Sequence, residues 1–188
     1  GFAVVAPMYR GSDGGEGRDE MGGADLNDLM NILPVVREIG SLDANNLFLY
    51  GESRGGMMVF QAIRDGFPAR AAATFGAFTD LGELTSTEAG AAMARKIWPD
   101  FDQKRSDITS RRSAIAWAEK LTTPLLLMHG ARDREVAASQ SLRLATELAK
   151  AGKDVGVFVV AGGNHALSAH RLERDRQAVD FFRRHLGS

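Results

Sequence analysis

The chain has 188 residues, 44% hydrophobic and 25% charged, with 23 basic against 24 acidic side chains. That composition excludes wholesale disorder, collagen and coiled coil, and a formal charge of -1 leaves no broad footprint for nucleic acid or an anionic membrane. The absence of cysteine removes disulfides, thiolate zinc sites and thiol nucleophiles, and no apolar run approaches the roughly 20 residues that span a bilayer.

The length suits one domain, expected to run over 1–188. The chain opens without Met on an apolar run, and no basic segment followed by an apolar one marks a signal peptide. The expectation is a processed or truncated piece of something longer. Nothing encodes a location, and the lack of cysteine is compatible with the cytoplasm.

In chain order, short apolar runs alternate with amphipathic stretches. The runs cover 2–6, 47–50, 71–75, 124–128 and 155–160. Runs of that length, apolar on both faces, predict strands of a buried parallel sheet; the third is Ala-rich and less typical. Leu26, Leu29, Met30, Leu33 and Val36 predict a helix over about 23–39, which Pro34 should kink or split. Helical spacing continues over about 54–66, 137–151 and the C-terminal stretch from Leu172 to Leu186. Alternation with short connections predicts an α/β fold, a mostly parallel sheet with helices on both faces, with ligands at the carboxyl ends of its strands. One region departs from the pattern. Over about 77–120 there is no good strand, and helices are expected near 80–98 and 107–120. This excursion reads equally as a lid or as a helical crossover with an extra helix.

The strongest local signal is Gly51-Glu52-Ser53-Arg54-Gly55-Gly56, a G-x-S-x-G pattern between a strand-like run and a helical one. Such a turn holds its serine in a strained conformation with the hydroxyl projecting from the sheet. The small residues two before and two after avoid clashes, and the following helix aims its N-terminal amides at a reacting oxygen. A serine needs a base, and the base an orienter. Asp133 follows the fourth run and His165 the fifth, at the same edge as Ser53, in the order Ser, Asp, His. The roles that follow are attack by Ser53, proton transfer by His165, orientation by Asp133, and oxyanion donation by the Arg54 backbone N–H.

Each assignment has a rival. His129 precedes Asp133 too closely to serve as base and is expected to buttress the Asp loop. His170 and His185 read as surface or solvated groups. Asp80, after the third run, is the main competitor to Asp133, whereas Asp154 lies at the wrong edge. The segment 11–17 invites a phosphate-loop reading, but Asp13 and Glu16 would repel phosphate and no Gly-Lys-Ser/Thr follows. Calcium binding by Asp13, Glu16 and Asp19 lacks EF-hand spacing, and no H-e-x-x-H-type ligand cluster points to a metal. The arginines of the last helix alternate with acidic residues, as on a solvated face.

The set Tyr9-Arg10-Gly11-Ser12, Gly51–Gly56, His129-Gly130-Ala131-Arg132-Asp133 and Gly163-Asn164-His165 resembles the catalytic domain of prolyl oligopeptidase-like serine hydrolases, over nearly the whole chain. The resemblance implies an α/β-hydrolase fold, a triad of Ser53, Asp133 and His165, and no cofactor. It also shows departures. The family's earlier strand ending in a His-Gly-Gly turn, which helps form the oxyanion hole, and its β-propeller are not found within these 188 residues. The missing strand would lie between those resembling 2–6 and 46–50, so these two either pair directly or leave an edge for a second copy or a complementing chain; completion by another chain or by self-association is the expectation. Loss of one oxyanion donor costs about 2.7–4 kcal/mol; the Tyr9 hydroxyl or an amide near Gly11 is a candidate substitute. Tyr9, Phe78 and Trp98, together with Met93, are candidates to line a substrate pocket, though packing explains the last three equally well. The expected function is hydrolysis of an ester or short-peptide acyl bond through an acyl-enzyme. The alternative is a catalytically weak fragment, a binding or assembly module that retains the triad as scaffold.

Overall fold

The computed structural model describes residues 1–187. Its centre is a parallel sheet of four strands in the order β1 (Phe48–Glu52), β2 (Ala71–Phe75), β3 (Leu125–Gly130) and β4 (Val155–Val160). Strands β2 and β3 are buried along their whole length, as continuous apolar runs predict. The alanines of β2 fit here because their short side chains let helices approach both faces of the sheet. Strands β1 and β4 are the edges.

One face is covered by α1 (Leu26–Met30), α3 (Arg54–Arg64) and α7 (Ser139–Lys150) around a large cluster that includes Met57, Phe60, Leu127 and Leu144. The other face carries α8 (Arg171–Arg184), whose Ala178, Phe181 and Phe182 meet Ala71, Ala73 and Met128. The stretch near Pro34 splits as its sequence predicts, into α1 and α2 (Ile32–Glu38), with the break at Asn31. Pro34 offers no N–H to the Met30 carbonyl and its ring crowds that oxygen, so the ladder ends one residue later.

The excursion between β2 and β3 is helical throughout: α4 (Leu81–Leu84), α5 (Glu88–Ile97), α6 (Phe101–Arg112) and a 3-10 turn, Ala114–Lys120. The second helix therefore begins six residues earlier than the sequence pattern suggests and gives way to a tighter turn where 113–120 was expected to continue it. The excursion is latched to the segment before α1. Trp98 Nε1 donates to the Glu20 carbonyl (2.8 Å), and the buried Arg112 donates to the carbonyls of Met21 (2.7 Å) and Glu20 (3.1 Å) while stacking on Trp98.

The run 2–6 is not a strand. Its backbone joins no ladder and most of it is exposed. Phe2 alone is anchored, edge-on to Phe48 and Phe182. Between this segment and β1 lies a groove of about 870 Å³, lined by Val5, Tyr9, Leu49, Gly55 and Phe182 among others. Direct pairing of 2–6 with β1 is thereby ruled out in this structure: apolar character suits a strand, but a strand forms only with a neighbour about 4.8 Å away to take its hydrogen bonds.

The glycines after the serine are not equivalent. A Cβ on Gly56 would fall 2.4 Å from Ala77 Cβ and 3.2 Å from Thr74 Cβ, whereas one on Gly55 meets nothing within 4 Å. The close approach of α3 to the sheet thus depends on Gly56, one position beyond the motif's second glycine. Gly56→Ala is expected to lower stability by about 1–3 kcal/mol through overpacking, while Gly55→Ala changes it by less than about 1 kcal/mol in either direction. Urea unfolding midpoints of the two variants check this.

Candidate active site

All four strands point the same way, so their carboxyl ends form one rim, and Ser53, Asp133 and His165 each lie on a loop leaving it. Backbone hydrogen bonds carry the sheet's connections beyond the strands. Ser53 N–H donates to Phe75 O (2.9 Å), Gly76 N–H to Met128 O (3.1 Å), Ala131 N–H to Val160 O (2.9 Å) and Arg132 N–H to Gly163 O (2.9 Å).

Ser53 has φ +50° and ψ −116°, a left-handed conformation that non-glycine residues rarely adopt. Gly51 makes the turn possible: a Cβ there would lie 2.4 Å from the Gly55 carbonyl oxygen. The Arg54 N–H opens α3 and has no partner among the described residues. The Arg54 guanidinium bends away to Asp19 and to the fully buried Asp25, and lies 5.3 Å from the Tyr9 ring centre. Burial pushes the Tyr9 phenol pKa up, an effect that Arg54 opposes and the nearby carboxylates reinforce. Tyr9 therefore keeps its proton at neutral pH and can donate a hydrogen bond.

Asp133 and His165 meet. His165 Nδ1 lies 2.7 Å from Asp133 Oδ2, and the Asp133 side chain has no exposed surface. Oδ1 accepts from the backbone N–H groups of Glu135 (2.8 Å) and Val136 (2.9 Å). Burial opposes the charge on this carboxyl, yet the Val136 N–H, His165 and the Glu135 N–H together hold its pKa below the usual value. His165 in turn rests on two glycines. A Cβ on Gly76 would fall 2.7 Å from the His165 carbonyl oxygen and 3.1 Å from its Nδ1, and one on Gly130 would fall 2.3 Å from the Asn164 carbonyl oxygen. Arg174 on α8 clamps the other side, donating to the Ala166 carbonyl (2.9 Å) while stacking on Phe75.

Among the described residues no hydrogen bond joins the Ser53 hydroxyl to His165. The outer nitrogen of that ring, Nε2, instead lies 3.8 Å from the exposed Glu135 carboxylate. Ser53 and His165 are brought to the same rim, on either side of Gly76: Ser53 is bonded to Phe75 and His165 packs on Gly76 itself.

The rival residues have partners of their own. Asp80 caps α4 by accepting from Glu83 N–H (3.0 Å) and pairs with Arg143 (2.7 Å). His129 is fully buried and lies within bonding distance of Asp133. His185 departs from the solvated placement expected of it: it packs on Phe181 and its Nδ1 donates to the Phe181 carbonyl (2.9 Å). Phe78 and Trp98 both sit in the apolar cluster and are buried there. Asp19 is held by Arg54 and by the Met21 N–H, and no group of three or more metal-ligating side chains gathers among the described residues. Nor is any described helix long and apolar enough to cross a membrane. Gly76, Gly130, Ser141 and Arg174 support the site, a role the sequence did not assign to them. The first two carried a signal, each being a glycine at a strand's carboxyl end beside a candidate residue.

The model of the prolyl oligopeptidase family matches residues 1–188. The chain belongs to the prolyl oligopeptidase family. It is 28% identical over 168 residues to a Bacillus subtilis protein described as the uncharacterized peptidase YtmA, covering 88% of this chain and 65% of that protein. It is 29% identical over 207 residues to the human acylamino-acid-releasing enzyme, covering all of this chain and 28% of the relative. The chain therefore spans about two thirds of the one relative and under a third of the other. Among solved structures, the Pyrococcus horikoshii acylaminoacyl peptidase superposes with a TM-score of 0.79 at 23% identity, over 90% of this chain and 29% of that one. The fold is that of the α/β hydrolases.

Asp133 links the site to stability. Because its folded pKa is lowered, its contribution is present above the ordinary carboxyl value of about 3.9 and is lost as pH falls through the lower folded value. Asp133→Asn is expected to lower Tm at pH 7 by about 3 °C or more, near 1 kcal/mol in a chain of this size. The gap from the unaltered protein should close as pH falls below about 3.9. Calorimetric scans at several pH values check both points.

Proposed function

We propose that this chain carries out serine hydrolysis of a peptide or ester acyl bond, with Ser53 as nucleophile, His165 as base and Asp133 as its orienter. The observation that carries this reading is the buried Asp133 bonded at 2.7 Å to His165, on the same rim as a serine held at φ +50°. Asp133 fixes the imidazole with its proton on Nδ1, leaving Nε2 free to take the Ser53 proton as the hydroxyl oxygen attacks the acyl carbon. The negative charge that develops on the acyl oxygen is met by the Arg54 N–H and by a second donor, for which the Tyr9 hydroxyl is the candidate. The leaving group takes the proton back from His165. Water then enters and gives a proton to the same nitrogen as its oxygen attacks the acyl carbon; the Ser53–acyl bond breaks as His165 returns that proton to the Ser53 oxygen, and the acid leaves.

Relatives named for releasing acylated amino acids make a short N-acylated peptide a reasonable substrate class beside small esters. Aryl esters are the first to test, since their leaving groups need little protonation. The open edge of β1 and its groove support a complementing strand as partner, from another chain or a second copy. The same feature favours the alternative of a module that turns over weakly by itself.

With an aryl acetate, Asp133→Asn should lose about 10⁴-fold in kcat, the scale of a wrong imidazole tautomer. Asp80→Asn should stay within about three-fold, as expected for a surface cap and ion pair. Tyr9→Phe should lose about 10²-fold or more if its hydroxyl serves the oxyanion. Turnover abolished by the Asp80 change and spared by the Asp133 change would reject the proposed triad.

A further inference from the structure

The Asp133 carboxylate takes four hydrogen bonds, as many as its oxygens have lone-pair directions. Two are the backbone N–H groups on Oδ1, and His165 Nδ1 is the third. The fourth is His129 Nε2, 3.0 Å from Oδ2, and no step of the hydrolytic mechanism uses it. Nε2 of His129 also faces the Val136 carbonyl at 3.0 Å, so both of its neighbours are acceptors and this nitrogen carries a proton. Nδ1, on the far side of the ring, lies 2.8 Å from the hydroxyl of Ser141 in the first turn of α7. Both His129 and Ser141 are buried.

We propose that His129, locked by Ser141, is a positioning residue that donates to Asp133 Oδ2 and fixes the carboxylate plane on which His165 is oriented. The inference rests on the hydrolase reading of Asp133 and His165. The torsion that turns an aspartate carboxylate is soft, with broad rather than sharply staggered wells. The two backbone N–H groups hold Oδ1, so the motion left to the plane is a rocking of Oδ2 about that oxygen, and a second donor on Oδ2, itself held by a helix, resists it. Without His129, Oδ2 keeps an unfilled lone pair in a site closed to water, and the aim of His165 Nε2 toward Ser53 loosens.

Three variants test this: His129→Leu, which removes the donor; His129→Gln, whose amide nitrogen reaches about where Nε2 sits; and Ser141→Ala, which frees the ring. With an aryl acetate, His129→Leu should lose about 10- to 100-fold in kcat with KM within about two-fold, the mark of lost orientation rather than lost binding. His129→Gln should recover to within about five-fold of the unaltered protein, and Ser141→Ala should fall between them. A second readout needs no turnover. The downfield proton resonance of the His165 Nδ1–H bond should persist in the Gln variant and be broadened by exchange in the Leu variant. Unchanged kcat and an unchanged resonance in a folded Leu variant would overturn the proposal, as would a Gln variant as impaired as the Leu one. Should the Leu variant fail to fold, the Gln and Ser141→Ala variants decide by the same readouts. Should the unaltered protein show no turnover, the hydrolase reading fails, and the resonance alone decides whether His129 holds the carboxylate.

Discussion

The site depends on a set of backbone hydrogen bonds that run past the ends of the strands. A parallel sheet gathers four carboxyl termini on one rim, but loops leaving a rim can wander. Here Ser53, Gly76, Ala131 and Arg132 each donate to the neighbouring strand end or loop, so the pairing of the sheet continues into the turns that carry the candidate residues. The loop that holds Asp133 is thereby tied to the loop that holds His165. The serine's turn is tied to β2, against whose following glycine the imidazole packs.

Close approach is the second half of the same design. Gly51, Gly56, Gly76 and Gly130 occupy places where a Cβ would fall less than 3.0 Å from a neighbouring heavy atom. They let backbone approach backbone at the Ser53 turn, let α3 settle on the sheet, and let the His165 loop fold over the ends of β2 and β3. Around them, charged groups are used as fasteners. Arg54 and the buried Asp25 tie the start of α3 to the segment before α1, Arg112 ties the helical excursion to that segment, and Arg174 holds the loop just after His165. Desolvating such cations costs energy, which their carbonyl and carboxylate partners offset only while the loops stay in place.

Much of this was legible in the sequence, where local chemistry and tertiary demand agree. The apolar runs of β2 to β4 and the periodicity of α3, α7 and α8 survive because both faces of the sheet are covered. The candidate residues could be placed because Gly51, Ser53, Asp133 and His165 sit at strand ends that the alternation already marked. The strand expected at 2–6 fails for want of a partner: its side chains are suitable, but strand formation is a property of pairs. The excursion's helix boundaries shift because Phe101 and Ile108 are drawn into the core, a long-range demand that helical spacing does not contain. His129 is the most instructive case. Its position beside Asp133 suggested support, and only three dimensions show a ring with Asp133 on one nitrogen and α7 on the other.

The central claim is that Ser53 is activated by the His165–Asp133 pair. Its most direct measurement is peptide mapping by mass spectrometry after treatment with a fluorophosphonate, which reacts with activated serines. A single adduct on the peptide bearing Ser53, formed rapidly by the unaltered protein and lost in His165→Ala, is the expected result. An adduct on a different serine, or equal labelling with and without the imidazole, would contradict it.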